Sequence, residues 1–481
     1  MMMNNKVFLS TSIPYVNGEP HIGHCLEFVQ TDVLARYYRQ LHGSENVLFL
    51  SGADENALKN VLAAEIAGMS TQQYVNAKST SFANLSKILN ISFDDFIHTT
   101  ESRHTRGAQK LWQAMDPNDI YQNTYSGLYC VGCEEFKKSD DLVDGLCPEH
   151  NKAPEKVEET NYFFRLSRYQ KQIEGLIKSD TVKIVPEKRK NEVLGFLKEG
   201  LHDFSISRSS TRAKNWGVPV PGDNEQIMYV WVDALSNYIT ALGYADNSKT
   251  YQDYWLDSTK RLHVIGKGIV KFHALYWIGM LLSAKLPLPT DEFVHGYVTV
   301  EGNKIGKSLG NAIHPKEVVE KYGIDALRYF VLKEISAYGD GDFSWERMRQ
   351  LYESDLQNGL GNLCARVATM ASGMLGGSDA LTISDVVIKA LNNYQFDEAL
   401  KSIWERVRAC DQLINEKKVW KLLGNEKDVE LKWLIEQIQQ IAVDIALFLP
   451  ETANKIITAY TGEIKKMTPL FPRLFSETAT K

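Results

Sequence analysis

Residues 6–56 read KVFLSTSIPYVNGEPHIGHCLEFVQTDVLARYYRQLHGSENVLFLSGADEN. Lys6 to Ser12 is a largely apolar run that predicts a strand, and the turn residues Pro14, Gly18 and Pro20 end it. From Gly23 to Leu41 the apolar positions Leu26, Val29, Val33, Tyr37 and Leu41 recur every three or four residues, which is one buried face of a helix. Asn46 to Ala53 predicts a second strand. Strand, helix and strand make a βαβ unit, and its parallel sheet receives ligands outside the carboxyl ends of the strands. Residues 12–24 and 51–56 fall there.

Working outward, Ile227 to Val232 and Leu262 to Ile265 predict further strands of the same sheet, each followed by a helical pattern, so the stretch between is an insertion. Phe293 to Val300 predicts a strand pair. From about Trp345 the pattern is helical, with Leu351, Leu356, Leu360, Leu363 and Val367 on one face and similar stripes near 384–417 and 427–448, as in a helix bundle. The expected class is α/β: a Rossmann-like parallel sheet in two halves (1–116 and 226–290) around an insertion (117–225), then a segment 291–345 and an all-α bundle (346–481).

A chain of 481 residues exceeds what one core supports, roughly 250–300 residues. With 44% hydrophobic and 24% charged residues it is an ordinary globular composition, which favours neither disorder nor a fibrous class. No long apolar run and no leader-like segment after Met1 occur, so neither a membrane span nor secretion is expected and a cytoplasmic location is. A net charge of −6 argues against indiscriminate coating of nucleic acid but leaves room for local basic and aromatic patches.

Of six cysteines, Cys130, Cys133 and Cys147 lie close together, a metal-like spacing rather than a disulfide framework. Cys130-x2-Cys133 followed by Cys147-x2-His150 offers three thiolates and an imidazole to a closed, structural Zn²⁺ with no catalytic position. A partly decayed knuckle is the alternative, because Pro148 and Glu149 leave the fourth ligand open.

Pro20-His21-Ile22-Gly23-His24 places two imidazoles three residues apart at a helix N-terminus, whose free N–H groups and dipole favour an anion. Gly23 lets a nucleotide lie against the backbone. Alone, the pair reads equally as a capping or core pair or as half a metal site. Gly302-Asn303-Lys304-Ile305-Gly306-Lys307-Ser308-Leu309-Gly310-Asn311 is a glycine-rich loop whose two lysines could close over the β- and γ-phosphates of a nucleotide. Alone, it reads as a solvated turn.

Together the two segments resemble the class I aminoacyl-tRNA synthetase signatures, His-Ile-Gly-His and Lys-Met-Ser-Lys-Ser. Thr11-Ser12-Ile13-Pro14-Tyr15-Val16-Asn17-Gly18, Gly52-Ala53-Asp54-Glu55, Tyr229-Val230-Trp231-Val232-Asp233-Ala234-Leu235, Val294-His295-Gly296-Tyr297-Val298 and Leu360-Gly361-Asn362-Leu363 resemble the methionyl-tRNA synthetase family in particular. The resemblance implies a methionine-activating, tRNA-charging enzyme with ATP and Mg²⁺. It makes His21, Gly23, His24, Lys304, Lys307 and Ser308 catalytic, and adds Gly266, Lys267, His295, Gly296 and Val298 to the ATP site.

It further implies a methionine pocket of Ile13, Tyr15, Trp231, Ala234, Leu235, Tyr238, Ile269, Phe272 and His273, with Asp54 on the ammonium group. A linear, sulfur-bearing side chain suits aromatic walls, though each sulfur–aromatic contact is worth only ~0.3–1.5 kcal/mol, so several are needed. Each ring by itself reads as core. Asn362, Arg366 and Trp420 become the anticodon contacts, an amide and a guanidinium beside a stacking ring, where ordinary solvated residues are the bland alternative. The 291–345 segment becomes the stem-contact segment. An insertion of this length leaves no room for the hydrolytic domain that isoleucyl, valyl or leucyl enzymes need.

The resemblance has departures. Ile305 and Gly306 stand where Met and Ser are usual, Gly268 where an Asp follows the lysine, Asn56-Ala57 for His-Gly, and Val419 for the Pro before the anticodon Trp. The rivals are another class I synthetase or a small nucleotidyltransferase, and a weakened paralogue that binds tRNA without activating methionine. The ending soon after Leu470-Phe471-Pro472-Arg473, without an appended dimerisation segment, gives the expectation of a monomer.

Overall fold

β1 (Val7–Thr11), α1 (Ile22–His42) and β2 (Val47–Ala53) follow one another as expected of a βαβ unit, with β1 and β2 parallel in the register Val7↔Val47. The computed structural model describes residues 5–130, 135–137, 139–148, 151–305, 310–377 and 381–474. β3 (Asp95–His98) continues the sheet beyond β2. Strands Lys260–Gly266, Asp291–His295 and Lys183–Val185 extend it beyond β1, giving six strands. All five residues of β1 are buried, as parallel strands covered on both faces require.

Leu26, Val29, Val33 and Tyr37 of α1 are buried, but Leu41 is 44% exposed, against expectation. Each four-residue step turns the stripe by about 40°, and three successive steps carry Leu41 off the buried face.

Two strand expectations are corrected. Asp223–Met228 lies in a separate antiparallel sheet with Ser207–Ser209 and Pro219–Val220, and Val230–Thr240 is a helix. That helix is buried almost all round, so its apolar run has no helical period and imitates a strand. The main sheet therefore resumes only at Lys260–Gly266. The 293–300 stretch divides as well: Asp291–His295 stays in the main sheet, while Val298–Val300 pairs with Asn303–Lys304 and with Gly341–Phe343.

The insertion is built on a long antiparallel pair, Ile120–Cys130 with Glu155–Phe164, and its strand Lys183–Val185 joins the edge of the main sheet. The chain forms two compact units. One comprises residues 1–20, 38–86 and 92–294 and holds the main sheet and the insertion; the other comprises 21–37, 87–91 and 295–481.

In the second unit, helices Asn362–Met370, Phe396–Lys417, Gly424–Ile445 and Pro450–Tyr460 form the helical part, which is not all-α as expected because Leu375–Gly376 pairs antiparallel with Gly462–Glu463; Leu351, Leu356, Leu360, Leu363 and Val367 are buried as expected. Asp32 of α1 pairs with Arg328 at 2.8 Å, both fully buried. Arg328 also donates to the carbonyls of Leu89 and Phe448. Such a satisfied buried pair fixes geometry, and removing one partner costs about 3–5 kcal/mol. No helix among the described residues is long and apolar enough to cross a membrane.

Candidate active site

The start of α1 fixes two imidazoles. The main-chain N–H of His21 donates to His24 Nδ1 at 3.0 Å, and that of Gly23 donates to His21 Nδ1 at 3.2 Å. With each Nδ1 engaged as an acceptor, the proton of each neutral ring sits on Nε2, so both rings keep an N–H donor there. The rings lie 3.9 Å apart, tilted by 34°. His24 keeps some exposed surface, yet desolvation lowers its pKa well below the ordinary value, with repulsion from His21 second, so it is neutral near pH 7.

Ile305, in the lysine-bearing segment, comes against the same turn, its Cδ1 3.2 Å from where a Gly23 Cβ would stand. Two sequence motifs about 280 residues apart are thereby brought together. Lys304 ends the exposed strand Asn303–Lys304. Lys307 and Ser308 lie outside the described residues.

In the same unit His295 Nε2 bonds Glu27 Oε2 at 2.9 Å, and its Nδ1 faces the Gly296 carbonyl at 2.7 Å. A Cβ on Gly296 would fall 1.9 Å from the Gly339 carbonyl oxygen, so only glycine passes there. Val298 is buried in the next short strand.

In the other unit, Asp54 is buried at the carboxyl end of β2. Its N–H donates to the Pro14 carbonyl at 2.9 Å, and Tyr15 bridges to it. Segments 12–20 and 51–56 therefore meet where the sheet topology required. Gly266 closes the strand beside β1, and Lys267 begins a short turn through Ile269.

Several of the aromatic side chains expected around methionine lie close together. Trp231 packs face to face on Phe272 at 3.8 Å and 3°, with Tyr15 edge-on at 6.3 Å. Ala234 and Leu235 are buried on the same helix, and Ile13 and Ile269 pack against the common core. Trp231 Nε1 is a buried donor with no hydrogen-bond partner among the described residues.

Tyr238 Oη meets His273 Nε2 at 2.7 Å, and His273 Nδ1 meets the Ile269 carbonyl at 3.0 Å. A carbonyl only accepts, so Nδ1 of His273 carries its proton and Tyr238 donates to Nε2. Burial pushes His273 down to about 4, which keeps it neutral.

Behind this pair stands a residue that the motif reading missed. His263 packs against Tyr238 at 3.9 Å, accepts from Trp277 Nε1 at 3.3 Å and therefore donates from Nδ1 to Ser10 Oγ at 2.8 Å. Burial, then the neighbouring His273 and Arg261, hold it far below the ordinary histidine pKa. The available signal was a histidine inside an otherwise apolar buried strand.

In the insertion, Cys130 and Cys147 are buried. The backbone folds tightly around Cys147, whose N–H donates to Lys152 O and whose carbonyl accepts from Asn151 N. Buried thiols in such a turn suit a soft-metal site. Cys133 and His150 lie outside the described residues, and among those described no three His, Cys, Asp or Glu side chains are grouped to hold a metal.

In the helical part, Ala365, Arg366, Thr369, Met370 and Trp420 line an open hollow of ≈ 490 Å³. Asn362 is exposed one turn before Arg366, and Trp420 is 48% exposed. Arg366 is aimed by Asp411 and Asn415, each 3.1 Å away on one face of Phe396–Lys417. Neither was singled out from the sequence, although their spacing of four was visible.

The family described as "tRNA synthetases class I (M)" matches residues 7–156 and 150–368. The chain is similar to the methionine–tRNA ligase of Brucella suis, 38% identical over 95% of this chain and 92% of that protein. It is 37% identical to the Thermotoga maritima methionine–tRNA ligase over 96% of this chain and 76% of that one. Among solved structures, Mycobacterium tuberculosis methionyl-tRNA synthetase bound by methionyl-adenylate matches with a TM-score of 0.89 at 33% identity, over 97% of this chain and all of that one. The apo form of that synthetase matches with 0.81 at 31% identity, over 98% of each chain.

Proposed function

The chain belongs to the class I tRNA synthetases of the methionine branch, and from that membership we propose how its residues divide the reaction. The enzyme activates methionine with ATP to methionyl-adenylate, releasing diphosphate, and transfers the methionyl group to the 3′ end of tRNA(Met), releasing AMP.

Methionine's carboxylate oxygen attacks the α-phosphorus of ATP, and the bond to the β-phosphate bridging oxygen breaks. His21 and His24 stabilise the charge that grows on the α-phosphate oxygens through their Nε2 donors, without themselves carrying a proton away. Lys304, Lys307 and Ser308 hold the β- and γ-phosphates as diphosphate leaves. Mg²⁺ bound with the substrate ATP would supply neutralisation of phosphate charge. Gly266, Lys267, His295, Gly296 and Val298 bind the nucleotide, with Gly23 and Gly296 admitting it against bare backbone. No general base is needed, because the nucleophile is already an anion. In the second step the terminal ribose hydroxyl of the tRNA attacks the adenylate carbonyl carbon, and AMP leaves.

Methionine lies among Ile13, Tyr15, Trp231, Ala234, Leu235, Tyr238, Ile269, Phe272 and His273, with Asp54 on its ammonium group. Asn362, Arg366 and Trp420 read the anticodon. Cys130, Cys133, Cys147 and His150 would hold a structural Zn²⁺, which when bound would supply folding energy to the insertion. The proposed domains are a catalytic part at 1–116 and 226–290, the insertion at 117–225, the stem-contact segment at 291–345 and the anticodon bundle at 346–481, with the strands Lys183–Val185 and Asp291–His295 joining the catalytic sheet from outside its own segments. The protein is a cytoplasmic monomer.

The observation that carries the assignment of the first step is the pair of imidazoles held as Nε2 donors by main-chain N–H groups, with Ile305 against Gly23. Rapid-quench measurement of adenylate formation tests it. His24→Ala should slow that step by about 100-fold, the loss of one preorganised donor, with methionine affinity unchanged. An unchanged single-turnover rate overturns the assignment.

A further inference from the structure

Two acidic side chains of the first unit are tied to a single neutral residue. The main-chain N–H of Asn56 donates to Asp54 Oδ1 at 3.2 Å, and its side-chain Nδ2 donates to Asp233 Oδ2 at 2.8 Å and to the Thr99 carbonyl at 3.0 Å. Both Nδ2 neighbours only accept, so the amide orientation is fixed by its surroundings. Asp233, buried in the first turn of the helix Val230–Thr240, uses its other oxygen to accept from His104 Nε2 at 2.5 Å. A carboxylate cannot donate, so that nitrogen carries the proton, and Thr240 Oγ1 engages Nδ1 at 2.8 Å.

His104 stands on the helix Ser102–Ala114, which approaches the 230–240 helix through Gly107. A Cβ there would lie 2.4 Å from Thr240 Cγ2. His104, Asp233 and Asn56 are all buried. The helix so anchored is the one that carries Trp231, Ala234, Leu235 and Tyr238.

The geometry points to His104, Asp233 and Asn56 as a positioning relay that locks the carboxylate of Asp54 to the pocket helix and so sets where the substrate's ammonium group is received. The inference rests on the proposed role of Asp54. It assigns three positioning residues that touch no substrate and act through a fourth. It also gives the Asn56 departure a meaning: the side-chain amide donates to Asp233 and so holds in place the main-chain N–H that donates to Asp54, and histidine at the same place retains one donor toward Asp233.

The test compares Asn56→Ala, Asn56→His and Asp54→Ala, alone and combined, in methionine-dependent diphosphate exchange. It adds inhibition by 4-(methylthio)butanoate, which is methionine without its amine. Asn56→Ala removes the Nδ2 bonds to Asp233 and to the Thr99 carbonyl, and loss of the one that leads to a charged group corresponds to about tenfold. Asn56→Ala should raise the methionine KM by that factor while the KM for ATP and the Ki of the amine-free analogue stay within about twofold. Asn56→His should recover methionine KM to within about threefold. In the Asp54→Ala background the Asn56→Ala change should add less than about twofold, as expected of a residue that acts only through Asp54. Equal losses for methionine and its amine-free analogue, or full additivity with Asp54→Ala, overturn the relay. If Asp54→Ala alone leaves discrimination between the two ligands intact, the role of Asp54 fails and the relay falls with it.

Discussion

Replacing Glu292 with Gln should make the protein more stable at neutral pH, and by an amount that grows with pH. Glu292 is fully buried in the strand Asp291–His295, and neither carboxyl oxygen has a hydrogen-bond partner among the described residues. Burial alone pushes its pKa up from 4.5 to about 8. The folded protein therefore holds a proton that the unfolded chain releases above 4.5. Stability from this group is complete below 4.5, falls as pH rises, and is exhausted once pH passes about 8. Within that window each pH unit costs about 1.4 kcal/mol, roughly 5 kcal/mol across it. Glutamine keeps the shape and cannot ionise. Urea unfolding followed by tryptophan fluorescence at pH 5.5, 6.5 and 7.5 should show the Glu292→Gln advantage widening by about 1.4 kcal/mol per unit. Parallel pH profiles for the two proteins would refute the reasoning, because they would mean that Glu292 is ionised in the fold or reaches water.

Further outcomes follow from single contacts. Tyr238→Phe leaves the His273 Nε2 acceptor unpaired in a buried site, at about 1–3 kcal/mol, so the methionine KM should rise at least about fivefold with ATP KM unchanged in diphosphate exchange. Trp420→Ala should raise the tRNA KM in charging assays by about tenfold or more, the worth of one stacked base, and leave diphosphate exchange untouched. Gly296→Ala forces a Cβ to within 1.9 Å of a carbonyl oxygen and should lower the melting temperature measurably; a wild-type melt contradicts the contact.

How much could be read from the chain differs by element. β1, α1 and β2 were legible because period and turn residues agree and because a βαβ unit has one handedness. The Val230–Thr240 helix was not, since burial on all sides erases the amphipathic period on which such reading depends. The Lys183–Val185 strand, only three residues inside an insertion, carries no pattern of its own and is defined by the sheet edge it completes.

At the site, His21, His24, Lys304 and the aromatic residues were legible as motifs. Their supporting partners were not. His263, Ser10, Trp277, Asn56, Asp233 and His104 come together from distant segments, and a hydrogen bond across about 130 residues, such as His104 to Asp233, leaves no local trace in sequence. Asp411 and Asn415 behind Arg366 belong to the same class of partner.

Methionine activation by this chain is tested by amino-acid-dependent exchange of labelled diphosphate into ATP with the purified protein and a panel of amino acids. Exchange that requires methionine, exceeds that with leucine, isoleucine and valine by at least about 100-fold, and collapses on Lys304→Ala is the predicted result. Folded protein that shows no methionine-dependent exchange, or exchanges equally well with another amino acid, would contradict it.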